Sequence, residues 1–440
     1  MDPQLAGSRI LQRFALGATA FSALALALAA KPPAAEAKRL FAPSAKYATL
    51  QAAIDAASPG DTIWVAAGIH KGPFTLRKPL TLVGDGGPDS TILDGGDKTR
   101  VLDIEGVKGG AIIGFGIRGG KASSGGGIRC ARDTSFAVED CSFDRNWEGG
   151  LALWQCRDIL IRGCRFRDNK GSGMVLESST AAIFECRLTG NTGHEGGGMA
   201  LRGSKVLFPM RESVFENNRA EGSTGGAVNA ADSSEITIAN CDFRTNSSAV
   251  AGGAVAAMAT SRINLSRCTF AKNRAATGGA VHSDQSMIYV TLCIFDQNRS
   301  TAAGSAIGVQ GRYTANVNPI YLSNTFYKNV VEGEGASIFC LDVSPEIRKS
   351  IFVVEAGQKA VAGLRASPLY DCNLIHDPTG GSIGALPSAN TLVGDPKFCD
   401  PAKGDFYLQD LSPALIASCG QVGALGKGTS CSMFRVQPAR

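Results

Sequence analysis

Apolar and polar positions alternate with period two over short runs, as at Ile236 and Ile238 and again at Cys241 and Phe243, with Ala239-Asn240 between the pairs. Such runs predict short β-strands joined by tight corners. Between residues 125 and 340 two signals recur in turn. One is a glycine pair followed by small or apolar residues: GGGIRC from Gly125, GGGMAL from Gly196, GGAVNA from Gly225, GGAVAA from Gly252 and GGAVHS from Gly278. The other is a phenylalanine three residues before an asparagine: Phe143/Asn146, Phe166/Asn169, Phe215/Asn218, Phe243/Asn246, Phe270/Asn273, Phe295/Asn298 and Phe326/Asn329, with Leu188/Asn191 as a variant. The seven intervals from Phe143 to Phe326 average about 26 residues, the period of a solenoid. No unit carries a helical 3.6 periodicity, so each coil is all-β and successive coils stack about 4.8 Å apart.

Stacking turns each recurring residue into a column. The phenylalanines form an inward aromatic stack. Asparagine three residues later fits a corner, because its side chain tolerates left-handed backbone and bonds the amide of the next coil. The glycine pairs fit a second corner that needs positive φ. A cysteine stands two residues before the phenylalanine position at Cys141, Cys164, Cys186, Cys241, Cys268 and Cys293, and Cys372 precedes Leu374 in the same phase. Thiols one strand spacing apart exceed the roughly 3.8 Å Cβ separation of a disulfide, so this column reads as buried free thiols. Cys399, Cys419 and Cys431 fall outside it, and Cys419 with Cys431 is a candidate disulfide.

The ends are built differently. Arg9 and Arg13 precede an uncharged apolar run over 14–30 and then Ala35-Glu36-Ala37, the pattern of a cleaved secretory signal over 1–37, with a retained membrane anchor as the alternative reading. Residues 38–60 read as a linker and cap helix: over 47–57, Leu50, Ile54 and Ala57 share one helical face, and Ser58-Pro59-Gly60-Asp61 ends it. Strands at 62–65, 80–83, 91–93 and 111–117 begin a coil region over 61–393, and 394–440 is a turn-rich closing segment. The net charge of +5 is scattered along the sequence, and nucleic-acid binding would need a basic stripe. A secreted or cell-surface protein with no transmembrane segment in its mature chain is therefore expected, as a monomer.

The opening ATLQAAIDAASPGDTIWVAAGIHKG, with LTLVGDGG and STILDGG, resembles the first coils of the pectin-lyase-like right-handed parallel β-helix family. The tail GDPKFCDPAKGDFYL, with SPAL and CGQVGALG, is similar to the closing segment of many bacterial members. Alternating GGAV and FxxN signals are similar to the passenger repeats of chlamydial polymorphic outer membrane proteins, though the barrel that ends those proteins is missing here. The resemblance spans roughly residues 45–427. It implies an all-β, single-stranded right-handed parallel β-helix with a short N-terminal cap helix, and it leaves activity open.

A lyase on such a fold needs a base, a carboxylate cluster or bound calcium, and a basic residue on one strand face. Aligning the strands after each glycine corner puts Ile128, Leu151, Met174, Met199, Val228, Val255, Val281, Ile307 and Ile338 inward. The outward columns are then mostly small or apolar. His282 with Asp284 is the acid/base-capable pair there, read either as a general base with its orienting partner or as two solvated residues. Glu177 and Arg202 should stack one coil apart as a surface ion pair, and Trp154 and Phe339 are candidates for an aromatic groove. His194-Glu195 and His376-Asp377 are placed in corners and loops, without a second ligand at metal spacing. No cofactor is expected; calcium stays open as an alternative, without a motif that supplies its ligands. Two readings remain open: an exported protein that serves adhesion or binds a polysaccharide or cell-surface partner without catalysis, or a polysaccharide lyase-like enzyme acting on acidic polysaccharide.

Overall fold

A computed structural model describes residues 37–311, 318–333, 335–378, 390–428 and 431. All but the last residue of the expected signal segment lies outside them. Among the described residues, strands gather into long parallel sheets of 15, 14 and 12 strands, here A, B and C, and a shorter six-stranded sheet D. One coil runs through Ile159–Arg162 in A, Arg165–Arg167 in B and Met174–Glu177 in C, each paired in parallel with the next coil. Sheet D lies where the chain passes from B to C, as at Arg219–Ala220. The all-β solenoid expected from the repeats is the fold.

The core follows the columns. Rings of Phe215, Phe243, Phe270, Phe295, Phe326 and Phe352 stack in succession with centroids 4.6 to 4.9 Å apart. Phe143 and Phe166 stack likewise at 4.6 Å, and Leu188 interrupts the two runs. Each ladder asparagine is buried and doubly used: Asn246 Nδ2 donates to the Phe215 carbonyl at 2.9 Å and to Asn273 Oδ1 at 3.0 Å. Left-handed backbone falls not on the asparagine but on the residue before it, among them Arg145, Asp168, Asn217, Thr245 and Lys272. The asparagine is there for its amide, which satisfies backbone groups that no water can reach.

Cysteines of the repeat column are buried free thiols, and each closes the corner by donating to the carbonyl two residues back, as Cys141 does to Glu139 at 3.2 Å. The column continues through Ser213, Asn324, Ser350 and Asn373, which accept the same backbone N–H. Cys372 is therefore off the ladder by one residue. Phe352 pairs with Ile375 rather than Leu374, so Cys372 sits at the left-handed corner position of Lys349. A second hydroxyl ladder runs through Ser179, Ser204, Ser234, Ser261 and Ser286, where the sheet C strand turns into sheet A.

At the N-terminal end the helix spans Leu50–Ala56, shorter than 47–57, because Thr49 caps it by accepting from the Ala52 N–H. Leu50, Ile54 and Ala57 are buried as expected. Ahead of it, within the expected linker, Arg39–Ala42 forms the first strand of sheet A. The closing segment folds as a hairpin, Phe398–Asp400 with Asp405–Leu408. Its Phe398 and Phe406 pack on Tyr327, over the outer face of sheet B. The expected Cys419–Cys431 pair does not form. Cys419 instead bonds Cys372, Cα atoms 6.4 Å apart, and Cys431 bonds Cys399, 5.2 Å apart. The reason is the one-residue offset: it turns Cys372 out of the coil toward the closing segment, which lies over it.

Candidate functional site

The outer face of sheet C carries the chemistry. Register along it runs Ile128, Leu151, Met174, Met199, Val228, Val255, Val281, Ile307 and Ile338 on the inner side, as read from the glycine corners. One further coil, Leu102–Glu105, pairs ahead of Ile128 and sets Asp103 beside Arg129 and Glu105 beside Ala131. This coil precedes the first glycine corner, so the corner motif does not reveal its two carboxylates. The only sequence signal for them is the alternation in VLDIEGV.

Asp103 and Glu105 are surrounded by guanidiniums. Asp103 meets Arg77 at 2.7 Å, Arg100 at 3.1 Å and Arg129 at 2.8 Å. Glu105 pairs with Arg132, lies 3.5 Å from Arg77 and 3.9 Å from Arg129. Arg100 is fixed further by the carbonyls of Ser124 and Gly125. Burial alone would raise the Asp103 carboxyl, but hydrogen bonds from Arg129 and Arg77 overcome it and hold the group below its ordinary value. Four guanidiniums against two carboxylates leave these six side chains at +2. Arg132 also lies over the Trp154 ring at 5.8 Å, and that ring is 40% exposed.

Trp154, Glu177 and Arg202 stand one above another in a single outward column. Arg202 does not take Glu177 as its partner, however. Its Nε donates to Glu195 Oε1 at 2.6 Å, because the corner carrying Glu195 returns alongside the strand. Phe339 is seven strand steps from Trp154, about 34 Å, flanked by Gly308 and Ala362, so the two aromatics line no common groove.

His282 is not a solvated residue. It is 4% exposed, its Nδ1 is buried without a hydrogen-bond partner, and burial pushes it down to about 4 despite the opposing charge of Asp284. The glycine corners roof much of its column, although Arg129, Val175 and Phe339 in the same column stay half-exposed. Ala152, Ala200, Asn229 and Ala256 are buried with it, and Thr224 Oγ1 reaches down to Asn229 Oδ1 at 2.8 Å. Gly308, next in the column, has no room for a Cβ without crowding His282 Nδ1, at 3.1 Å. Asp284 follows two residues along the same face, half-buried, with no hydrogen bond to the imidazole.

His194 and Glu195 lie in a corner as expected, whereas His376 ends the sheet B strand Leu374–His376. That histidine borders a cleft of about 610 Å³ under the closing hairpin, shared with Tyr327, Lys328, Lys397 and Phe398. Among the described residues no three His, Cys, Asp or Glu side chains cluster to hold a metal, and no helix is long and apolar enough to cross a membrane.

The family described as right handed beta helix region matches residues 102–208 and 192–364. No curated protein matches the chain. Solved structures of similar fold include the PL6 family alginate lyase AlyGC, at 12% identity over 89% of this chain and 57% of that one, with a TM-score of 0.52. The mannuronan C-5 epimerase AlgE6 A-module of Azotobacter vinelandii is 13% identical over 79% of this chain and 94% of that one, TM-score 0.43. A mannuronic acid specific polysaccharide family 6 lyase from human gut microbiota is 13% identical over 81% and 91%, TM-score 0.46. At these identities the likeness is one of fold.

Proposed function

Because this chain belongs to the right-handed parallel β-helix family of pectin-lyase-like fold, whose architecture serves many activities, its role has to be read from side chains. We propose that it is an exported surface or extracellular rod that binds a glycan on the outer face of sheet C without transforming it. Export rests on the sequence of residues 1–37. Glycan binding rests on the pairing of guanidinium forks with an exposed indole, since Arg offers directed donors to carboxylates and hydroxyls and Trp offers a flat apolar face to a sugar ring.

The observation that carries the non-catalytic reading is a separation. His282 lies six strand steps from Arg129, about 29 Å away along sheet C. Proton abstraction beside a sugar carboxylate needs its base and its charge-neutralising group on one residue of substrate, with reacting atoms in contact. A lyase-like activity is the second reading, favoured by the two carboxylates lying among cations. Both are engaged in ion pairs, and the hydrogen bonds on Asp103 keep it charged and a weak base.

The test is incubation of the full mature chain with alginate, polygalacturonate and a neutral glucan, with and without calcium. Alginate is among the polymers because AlyGC, which shares the fold, is an alginate lyase. Unsaturated products, reducing ends and polymer pull-down are followed together. Pull-down without product is expected. Product formation lost in a His282→Ala/Asp284→Ala variant would make the protein an enzyme, and silence in every channel would remove the glycan reading.

A further inference from the structure

Immediately after each buried ladder asparagine the chain turns a residue outward, and coil stacking sets these residues in a row. The row begins at Lys121, whose preceding carbonyl accepts from the Trp147 N–H. It continues through Trp147, Lys170 and Thr192, then down the sheet D strands through Arg219, Ser247, Arg274 and Arg299. All five basic side chains in it are exposed. Each is about one coil of sequence from the next member of the row, which is why the charge looks scattered along the chain and is nevertheless a stripe in space.

We infer that this row is a track for a linear polyanionic glycan lying along the axis of the rod, an inference that rests on the glycan-binding reading above. Charge complementarity is the first argument. Within ion-pair reach of the five cations stand only Glu221, 3.8 Å from Arg219, and Glu332, 2.7 Å from Arg274, among the described residues. The row is thus left at +3. Spacing is the second. Lys170, Arg219 and Arg274 recur every second coil, about 10 Å apart, and the row from Lys121 to Arg299 spans seven steps, about 34 Å. Anionic groups on alternate sugars of an extended chain meet such a sparse ladder. Each strand of double-helical DNA carries a charge every ~3.4 Å of helix axis, a denser pattern than this row complements, and single-stranded nucleic acid is the competitor that the test below separates.

Continuity is the third argument. The Trp147 ring, 36% exposed, has Lys170 at 3.9 Å and Lys121 at 5.2 Å from its centre, an aromatic surface in line with the cations. Lys121 is three residues before Ser124, whose carbonyl holds Arg100 of the sheet C cluster. The upper end of the track therefore adjoins the proposed glycan site, and one polymer can engage both.

The test compares the full mature chain with two variants. One is Arg219→Ser/Arg274→Ser/Arg299→Ser, which copies the serine already present at Ser247; the other is Arg129→Ala/Arg132→Ala. Affinities for alginate and for single-stranded DNA are measured at rising salt, with thermal melts confirming that each variant is folded. The triple variant should bind alginate at least about ten-fold more weakly, with a shallower salt dependence. Unchanged alginate affinity in the triple variant, with loss in the Arg129/Arg132 variant, overturns the track and leaves the glycan reading standing. Failure of the wild-type chain to bind alginate removes both. Loss of DNA binding alone in the triple variant assigns the row to nucleic acid and overturns the inference.

Discussion

Arg129 reaches back one coil to Asp103 with a two-pronged contact, Nε to Oδ1 at 2.8 Å and Nη2 to Oδ2 at 3.1 Å. The geometry is that of a planar fork on a carboxylate, which an ammonium cannot reproduce. Because Asp103 titrates below its ordinary value when folded, its ion pairs stabilise the protein above that value and are lost as pH falls through the depressed one. Asp103→Asn should therefore lower the melting temperature at neutral pH, and the gap should close as pH falls from about 4 toward 2. A gap that stays constant would show that the charge of Asp103 does not contribute.

Asp133 behaves in the opposite sense. It heads the column that Cys156 and then the serine ladder continue, accepts from the Val107 N–H at 2.7 Å, and leaves Oδ2 buried without a partner. Burial pushes it up to about 6. A raised folded value means that stability is greatest below the ordinary carboxyl range and is lost as pH rises through about 6, at most about 3 kcal/mol. Asp133→Ser, which installs the ladder residue, should raise the melting temperature at about pH 8 and give no gain at about pH 4. Equal gains at both would contradict a buried, titrating carboxyl.

Replacing Asn246 by alanine takes the acceptor from the Asn218 N–H and from one N–H of the Asn218 side-chain amide inside the coil. Each orphaned group costs about 1–3 kcal/mol, so a loss of about 3 kcal/mol or more is expected in denaturant melts. Phe243→Ala should cost about 3–5 kcal/mol by opening a gap in the ring stack. A mild effect at both positions would contradict the packing of the coils.

Nine buried thiols and four bridged cysteines should separate cleanly by labelling. Burial pushes Cys186 and Cys340 up to about 12, so neither offers a thiolate near neutrality. A soluble maleimide should mark none of the nine in the folded protein, and mild reduction should open Cys399, Cys419 and Cys431 to it, with Cys372, itself buried, labelled only once the closing segment lifts. Mass-spectrometric mapping that found a ladder cysteine labelled before reduction would contradict the assignment.

The coil architecture and its inward columns were legible because one residue type repeats at one position per coil, so Phe243 and Asn246 declare their own register. That signal fails where neighbours are alike. Leu374 and Ile375 are both apolar, pattern alone cannot say which faces inward, and the choice displaced Cys372 and with it the disulfide pairing. Burial of His282 was hidden for another reason. An outward residue on a strand is normally wet, and only the three-dimensional return of the glycine corner covers this one. Asp103 and Arg129 were invisible as a pair because 26 positions separate them in sequence, while one strand spacing separates them in the coil.

The most direct test of the central claim is calorimetric titration of a uronate oligosaccharide into the full mature chain and into Arg129→Ala/Arg132→Ala, followed by mass spectrometry of the recovered oligosaccharide. The account predicts saturable binding by the wild-type chain, at least about ten-fold weaker binding by the variant, and an oligosaccharide recovered intact. Equal affinity in the two proteins, or a shortened oligosaccharide, would contradict it.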